Sequence, residues 1–226
     1  MKAVLTDLYR AYMPTVAREA IMMRRRSALW QARGVVFIHV PKCAGSSVND
    51  ALYGRFMGHI SADVIKRFGS ADVKVVPSFS LLRDPMSRAI SAYRFVQAGV
   101  GTGSGVVATV RKPERYDIPE FKSFDAFVQD WLPKQTLSKC DPVFRTQTSY
   151  VCAKSGAVLV DHLGSTADMT PTIAWLYDTL GRTVAIGRTN VTARGKSSAN
   201  IVASPESRSI LELVYRSDFE LFNTRA

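Results

Sequence analysis

Between Val36 and Val48 the chain reads VFIHVPKCAGSSV, an apolar run followed by Pro41, Lys42, a small-residue turn and two hydroxyls. Residue types in that order suit the holding of an anion. Backbone N–H groups of the turn and the positive end of a following helix can point at a phosphate or sulfate, small side chains permit close approach, and lysine supplies a full charge. The candidates are Lys42, Cys43, Ala44, Gly45, Ser46 and Ser47. A Walker A loop places its lysine after the glycines, whereas here Lys42 precedes Gly45. Taken alone, the segment also describes a tight strand-to-helix turn with an exposed lysine.

A second stretch, Leu81 to Phe95 (LLRDPMSRAISAYRF), repeats the plan with a different grip. Asp84 is a good helix N-cap and Pro85 suits the first helical position, so Arg83 stands where a strand ends and a helix begins. An arginine fork there fits a phosphate bidentately. Ser91 lies about two helical turns along and reaches back to the strand end if the helix is inclined. Arg88 is expected to pair with Asp84 one turn earlier, a structural role.

The pair P-K-C-A-G-S-S and R-D-P-x-x-R-x-x-S-x-Y resembles the two donor-binding motifs of sulfotransferases that use 3′-phosphoadenosine 5′-phosphosulfate (PAPS), in particular the carbohydrate and bacterial branch. The resemblance implies a P-loop-like sulfotransferase fold and PAPS as donor. It places the 5′-phosphosulfate on Lys42 to Ser47 and the 3′-phosphate on Arg83 and Ser91. Weaker echoes fall around His59, at Arg188 to Thr192 and at Tyr215 to Phe222. Arg188, Thr192 and Lys196 read either as a basic surface loop or as a flap over the donor's 3′ side. The acceptor so implied is a carbohydrate or other hydroxyl compound, and no metal is expected.

Sulfuryl transfer resembles phosphoryl transfer in its demands: charge builds on the leaving oxygen while acceptor, sulfur and leaving group lie in line. Lys42 is placed to stabilise that oxygen. A base must take the acceptor's proton. Of the three histidines, His39 and His162 lie in apolar runs and read as structural, while His59 sits in a polar turn and is the candidate base. Asp63 and Glu120 are weaker alternatives. Cys43 has no histidine nearby in sequence and reads as a small loop residue rather than a nucleophile.

The elements that must position these residues alternate. Strands are expected at Val35–Val40, within Val73–Arg83, at Ala157–Leu163 and at Val184–Gly187, with helices at Val48–Phe56 (capped by Ser46 or Ser47), Ser61–Phe68, Met86–Ala98, Ser123–Trp131, Thr170–Gly181 and from Ser204 onward. This alternation predicts an α/β fold, a central, mainly parallel sheet flanked by helices. Residues 1–33 form an N-terminal helical segment that Pro14 kinks or divides, and 99–119 reads as a mobile loop. Tyr93, Phe95, Trp131, Trp175 and Tyr177 fall at helical spacings that favour the core.

The whole-chain quantities agree with one domain: 226 residues, 46% hydrophobic and 22% charged. A net charge of +11 favours anionic ligands without choosing among them. A nucleotide-dependent phosphotransferase and a non-catalytic nucleic-acid-binding protein stay as competing classes, the first opposed by the missing Walker A order and the second by the lack of a reading motif. Nucleic acid is therefore not an expected partner. Three cysteines without C-x-x-C spacing argue for a reducing compartment, and the absence of a secretory-type apolar run for a cytoplasmic protein. Arg24, Arg25 and Arg26 read as a solvated helix face, with contact to an acidic membrane surface as the alternative.

Overall fold

The computed structural model describes residues 12–100, 110, 112–187 and 201–225. The chain forms two compact units. The first comprises residues up to 40, 44–81 and 149–189, the second 41–43, 82–148 and 190 onward.

In the first unit, helix α1 (Thr15–Arg33) begins directly after Pro14 and ends at Gly34, whose left-handed φ of 72° closes the helix by donating to Gln31 and Trp30 carbonyls. Strand β1 (Val36–Ile38) follows and is buried throughout. Helix α2 (Gly45–Tyr53) and helices α3 (Ala62–Phe68) and α4 (Ala71–Lys74) lead to strand β2 (Ser78–Leu82). β1 and β2 run parallel, in the register Val36↔Ser78, Phe37↔Phe79, Ile38↔Ser80. A parallel pair needs such a helical crossover. β3 (His162–Ser165) completes a sheet of order β1-β2-β3, and helix α8 (Thr170–Leu180) follows it.

β1 is an edge, and an edge exposes unpaired backbone groups. Tyr53 blunts it: its hydroxyl donates to Val35 O and accepts from Phe37 N, both at 2.9 Å. Burial pushes the phenol pKa well above its ordinary value, and the bond donated by Phe37 N offsets part of that rise. On β2, Ser80 Oγ donates to Ile38 O, and Asp161 accepts from both N and Oγ of Ser78.

The second unit holds helix α5 (Pro85–Gln97), then short 3-10 turns, helix α6 (Phe124–Ala126) running into a π-helical stretch (Phe127–Trp131), and the terminal helices α9 (Pro205–Val214) and α10 (Arg216–Arg225). Between α6 and α9, helix α7 (Thr148–Val151) carries the chain back to the first unit. The core of the second unit is aromatic: Tyr93, Tyr116, Phe121, Phe124, Phe127, Phe144 and Tyr215 are all buried. Ring centroids 5–6 Å apart in tilted and edge-on pairs, such as Phe121–Trp131 at 5.1 Å, are the favoured aromatic geometry.

The α/β architecture expected from the alternation is present, and most helices fall where their caps place them. Asp84 accepts from Ser87 N and Ser204 from Ser207 N. Three readings need correction. Val184–Gly187 is not a strand, although Val184 is buried. The strand expected at Ala157–Leu163 instead occupies His162–Ser165, with only a bridge between Cys152 and Val158 upstream. Apolar runs this short fix burial but not backbone geometry. Finally, Tyr177 is 55% exposed although its helical spacing favoured the core. Of the segment 99–119, residues 101–109 and 111 lie outside the described residues. Its end, Pro113–Tyr116, is a 3-10 turn with Tyr116 in the aromatic core.

Candidate active site

The loop after β1 is built on two left-handed residues that are not glycine, Lys42 (φ 69°) and Ala44 (φ 56°). For a residue with a Cβ that conformation costs about 1–2 kcal/mol. At Ala44 the turn therefore imposes a positive φ on a residue that is not glycine. Ala44→Gly is expected to remove the strain, offset by about 0.4–1 kcal/mol of extra unfolded-state entropy. Thermal unfolding should show an unchanged or slightly raised Tm, and a clear fall would mean that the loop holds Ala44 without strain.

The cap of α2 also differs from expectation. Ala44, not Ser46 or Ser47, is the N-cap residue, and no side chain caps the helix. A helix start of this kind leaves its first N–H groups without the side-chain acceptor that a serine cap would supply. Gly45 is required for a different reason: a Cβ there would overlap the His39 ring. Ser46 is exposed and Ser47 buried.

In the second unit, Lys42, Cys43 and Arg83 come together beside α5, the helix that carries Ser91. Arg83 Nη1 donates to Lys42 O at 3.4 Å, and Lys42 Nζ sits 4.1 Å from the centroid of Phe95. Phe95 lies one helical turn beyond Ser91, so Lys42 reaches across the helix face that carries Ser91. Among the described residues neither Lys42 nor Arg83 has a carboxylate partner. Burial first, and then the Arg83 charge, lower the Lys42 ammonium to about 8. Two half-buried cations side by side repel each other, and an anion between them would relieve that repulsion.

Cys43 is fully buried, and burial pushes its thiol up to about 11. The sequence reading of a loop residue rather than a nucleophile agrees with a thiol held in its neutral form. The expected Arg88–Asp84 pair is not formed. Asp84 is occupied as the cap, while Arg88 is 2% exposed and donates to Pro41 O (3.1 Å), Val143 O and Arg145 O, with Asp218 at 3.8 Å. Its role is structural, as expected, with different partners.

His59 and His39 share the first unit, their ring centroids 4.3 Å apart. Asn49 organises them. Its Nδ2 donates to Gly45 O (2.7 Å) and to His39 Nδ1 (3.2 Å), and its Oδ1 accepts from Met57 N at the start of the turn that carries His59. His59 Nδ1 lies 3.0 Å from His39 O, and since a carbonyl only accepts, Nδ1 must carry the proton. The basic lone pair of His59 is then on Nε2, the tautomer a general base needs. Asp63 pairs with Arg67 at 3.3 Å. His162 stacks on Trp175 and contacts Thr172 Oγ1 at 3.1 Å, a structural placement.

Arg188, Thr192 and Lys196 lie outside the described residues. Two site residues carried no local signal in the sequence. Asn49 reads as an ordinary helix residue, and Gln147, fully buried, bonds to Cys43 and to Arg83, both remote along the chain. Among the described residues no cluster of His, Cys, Asp or Glu could hold a metal ion, and no helix is long and apolar enough to cross a membrane.

A parallel strand pair joined through a helical crossover, with helices packed around the sheet, defines an α/β protein. A model of the sulfotransferase family matches residues 31–223, and the chain belongs to that family. It is a transferase of sulfuryl groups. No curated protein and no solved structure matches the chain.

Proposed function

We propose that the protein transfers a sulfuryl group from PAPS to a hydroxyl of a carbohydrate or related acceptor. The observation that carries the reading is the pair of half-buried cations, Lys42 and Arg83, brought together with no carboxylate among the described residues. Family membership supplies the chemistry, and the cation pair suits a donor with two separated anionic groups. The 5′-phosphosulfate lies along Lys42 and the turn Cys43–Ser47, and the 3′-phosphate meets Arg83 and Ser91. Lys42 Nζ stabilises charge on the leaving phosphate oxygen.

His59 Nε2 takes the proton of the acceptor hydroxyl as that oxygen bonds to sulfur and the sulfur–oxygen bond to the phosphate breaks. His59→Ala is expected to leave affinity for 3′-phosphoadenosine 5′-phosphate (PAP) near normal and lower kcat by about 10²–10⁴-fold. A variant with wild-type turnover removes the base assignment.

The second unit also holds a cleft of about 440 Å³. It is formed by Arg115, Tyr116, Trp131, Lys134, Lys139 and Asp141, and its volume is within the range of small-molecule sites. Lys134, Lys139 and an aromatic face suit a polar or acidic sugar, while Arg115 is already paired with Asp141 at 2.7 Å. Titrating PAP, ATP and single-stranded DNA against the protein tests the donor reading. Preference for PAP is expected, and a preference for ATP or DNA would overturn it.

A further inference from the structure

β2 ends at Leu82, so Arg83 has no strand partner on which to fix its backbone. Gln147 supplies one. Its Oε1 accepts from Arg83 N at 3.0 Å and its Nε2 donates to Arg83 O at 2.8 Å, a side-chain amide standing where the next rung of a ladder would be. The same Oε1 accepts from Cys43 Sγ at 3.2 Å. Gln147 N in turn donates to Asp218 at 2.8 Å, and Asp218 faces Arg88, whose Nε holds Pro41 O. Both chain neighbours of Lys42, Pro41 and Cys43, are therefore tied through one buried network to the backbone of Arg83.

We propose that Gln147 is a positioning residue of the donor site, setting the spacing between Lys42 and Arg83 so that both anionic groups of one donor are met at once; this rests on the donor reading above. The chemistry at position 147 is narrow. It must accept from an N–H and an S–H on one atom and donate to a carbonyl from another, at the end of a side chain long enough to reach both. Among side chains of that length and shape only glutamine does all three: glutamate cannot donate when ionised, and methionine neither accepts strongly nor donates. The network also contains the buried pair Arg88–Asp218 at 3.8 Å, which is weak evidence for stability.

The test compares wild type, Gln147→Met and Gln147→Glu in the full chain, titrated calorimetrically with PAP and with AMP, which lacks the 3′-phosphate. Tyr215→Phe, which loses its bond to Phe144 O, serves as a stability control in the same unit. Wild type is expected to prefer PAP to AMP by tenfold or more. In both Gln147 variants that ratio should collapse towards one with AMP affinity unchanged, while Tyr215→Phe keeps the ratio despite a lower Tm. Should Gln147→Met not fold, Gln147→Glu, closest in shape, carries the same comparison. If the ratio persists in the variants, or if PAP and AMP weaken equally, Gln147 is merely structural and the proposal is overturned. A wild-type protein without preference for PAP overturns the donor reading itself, and with it the ligand assigned to this network.

Discussion

Lys42→Ala is expected to lower turnover by about 10²–10³-fold, the cost of losing one donor aimed at charge that develops in the transition state. Affinity for the donor should fall less, because Arg83 remains. The split follows from the position of Lys42, at the head of the turn and beside the cationic Arg83. Single-turnover rates with saturating PAPS read the chemical step directly, and an unchanged rate would contradict the leaving-group role. The lowered ammonium adds a pH signature. With a pKa of about 8 in the free protein, Lys42 is charged below that value and loses its proton as pH climbs through it. PAP affinity should accordingly decline above pH 8. Because bound anion favours the charged form, the complex keeps its proton to higher pH than the free protein. A flat affinity from pH 7 to 9.5 would show that Lys42 does not meet the donor.

Arg83→Ala is expected to act on binding instead. Truncating one member of a buried, hydrogen-bonded charge pair costs about 2–5 kcal/mol, which is roughly 30-fold or more in affinity. The loss should be confined to ligands with a 3′-phosphate: PAP affinity falls towards that of AMP, and AMP affinity stays. Arg83→Lys should recover only part of the loss, since an ammonium cannot reproduce the planar fork. Calorimetric titration with the two nucleotides decides the matter, and an Arg83→Ala protein that still discriminates them would move the 3′-phosphate elsewhere.

The two variants divide the site. If Lys42 acts on kcat and Arg83 on which nucleotide binds, a double variant should show both defects. Strong coupling between them would point instead to the shared network through Gln147, because residues in one hydrogen-bonded network are not additive.

Much of this was legible in the sequence because the relevant signals are short-ranged. The strand–turn–helix order around Lys42, the Asp84 cap with Pro85, the Ser204 cap and the Gly181 helix end depend on residues within four positions of one another, and each was realised. The same local logic failed where a competing interaction was available. Arg88 was read as the i,i+4 partner of Asp84, but the cap bond to Ser87 N occupies that carboxylate, and the buried face of α5 turns Arg88 towards Pro41 and Asp218. Ser46 or Ser47 was expected to cap α2, but Ala44, in a left-handed conformation, takes that position.

What the sequence by itself determined, then, is the chemistry on offer: an anion-binding turn headed by Lys42, an arginine at a strand end, a serine two turns along a helix, and membership of a sulfuryl-transferring class through the order of those motifs. What only the tertiary structure decided is their arrangement. It brought Arg83 to the backbone of Lys42, fixed the tautomer of His59 through the His39 carbonyl, and inserted Asn49 in the first unit and Gln147 in the second as ties. The physical reason is that a buried amide declares itself only through partners it meets after folding. Those partners lie on other segments of the chain, where no periodicity or cap can announce them.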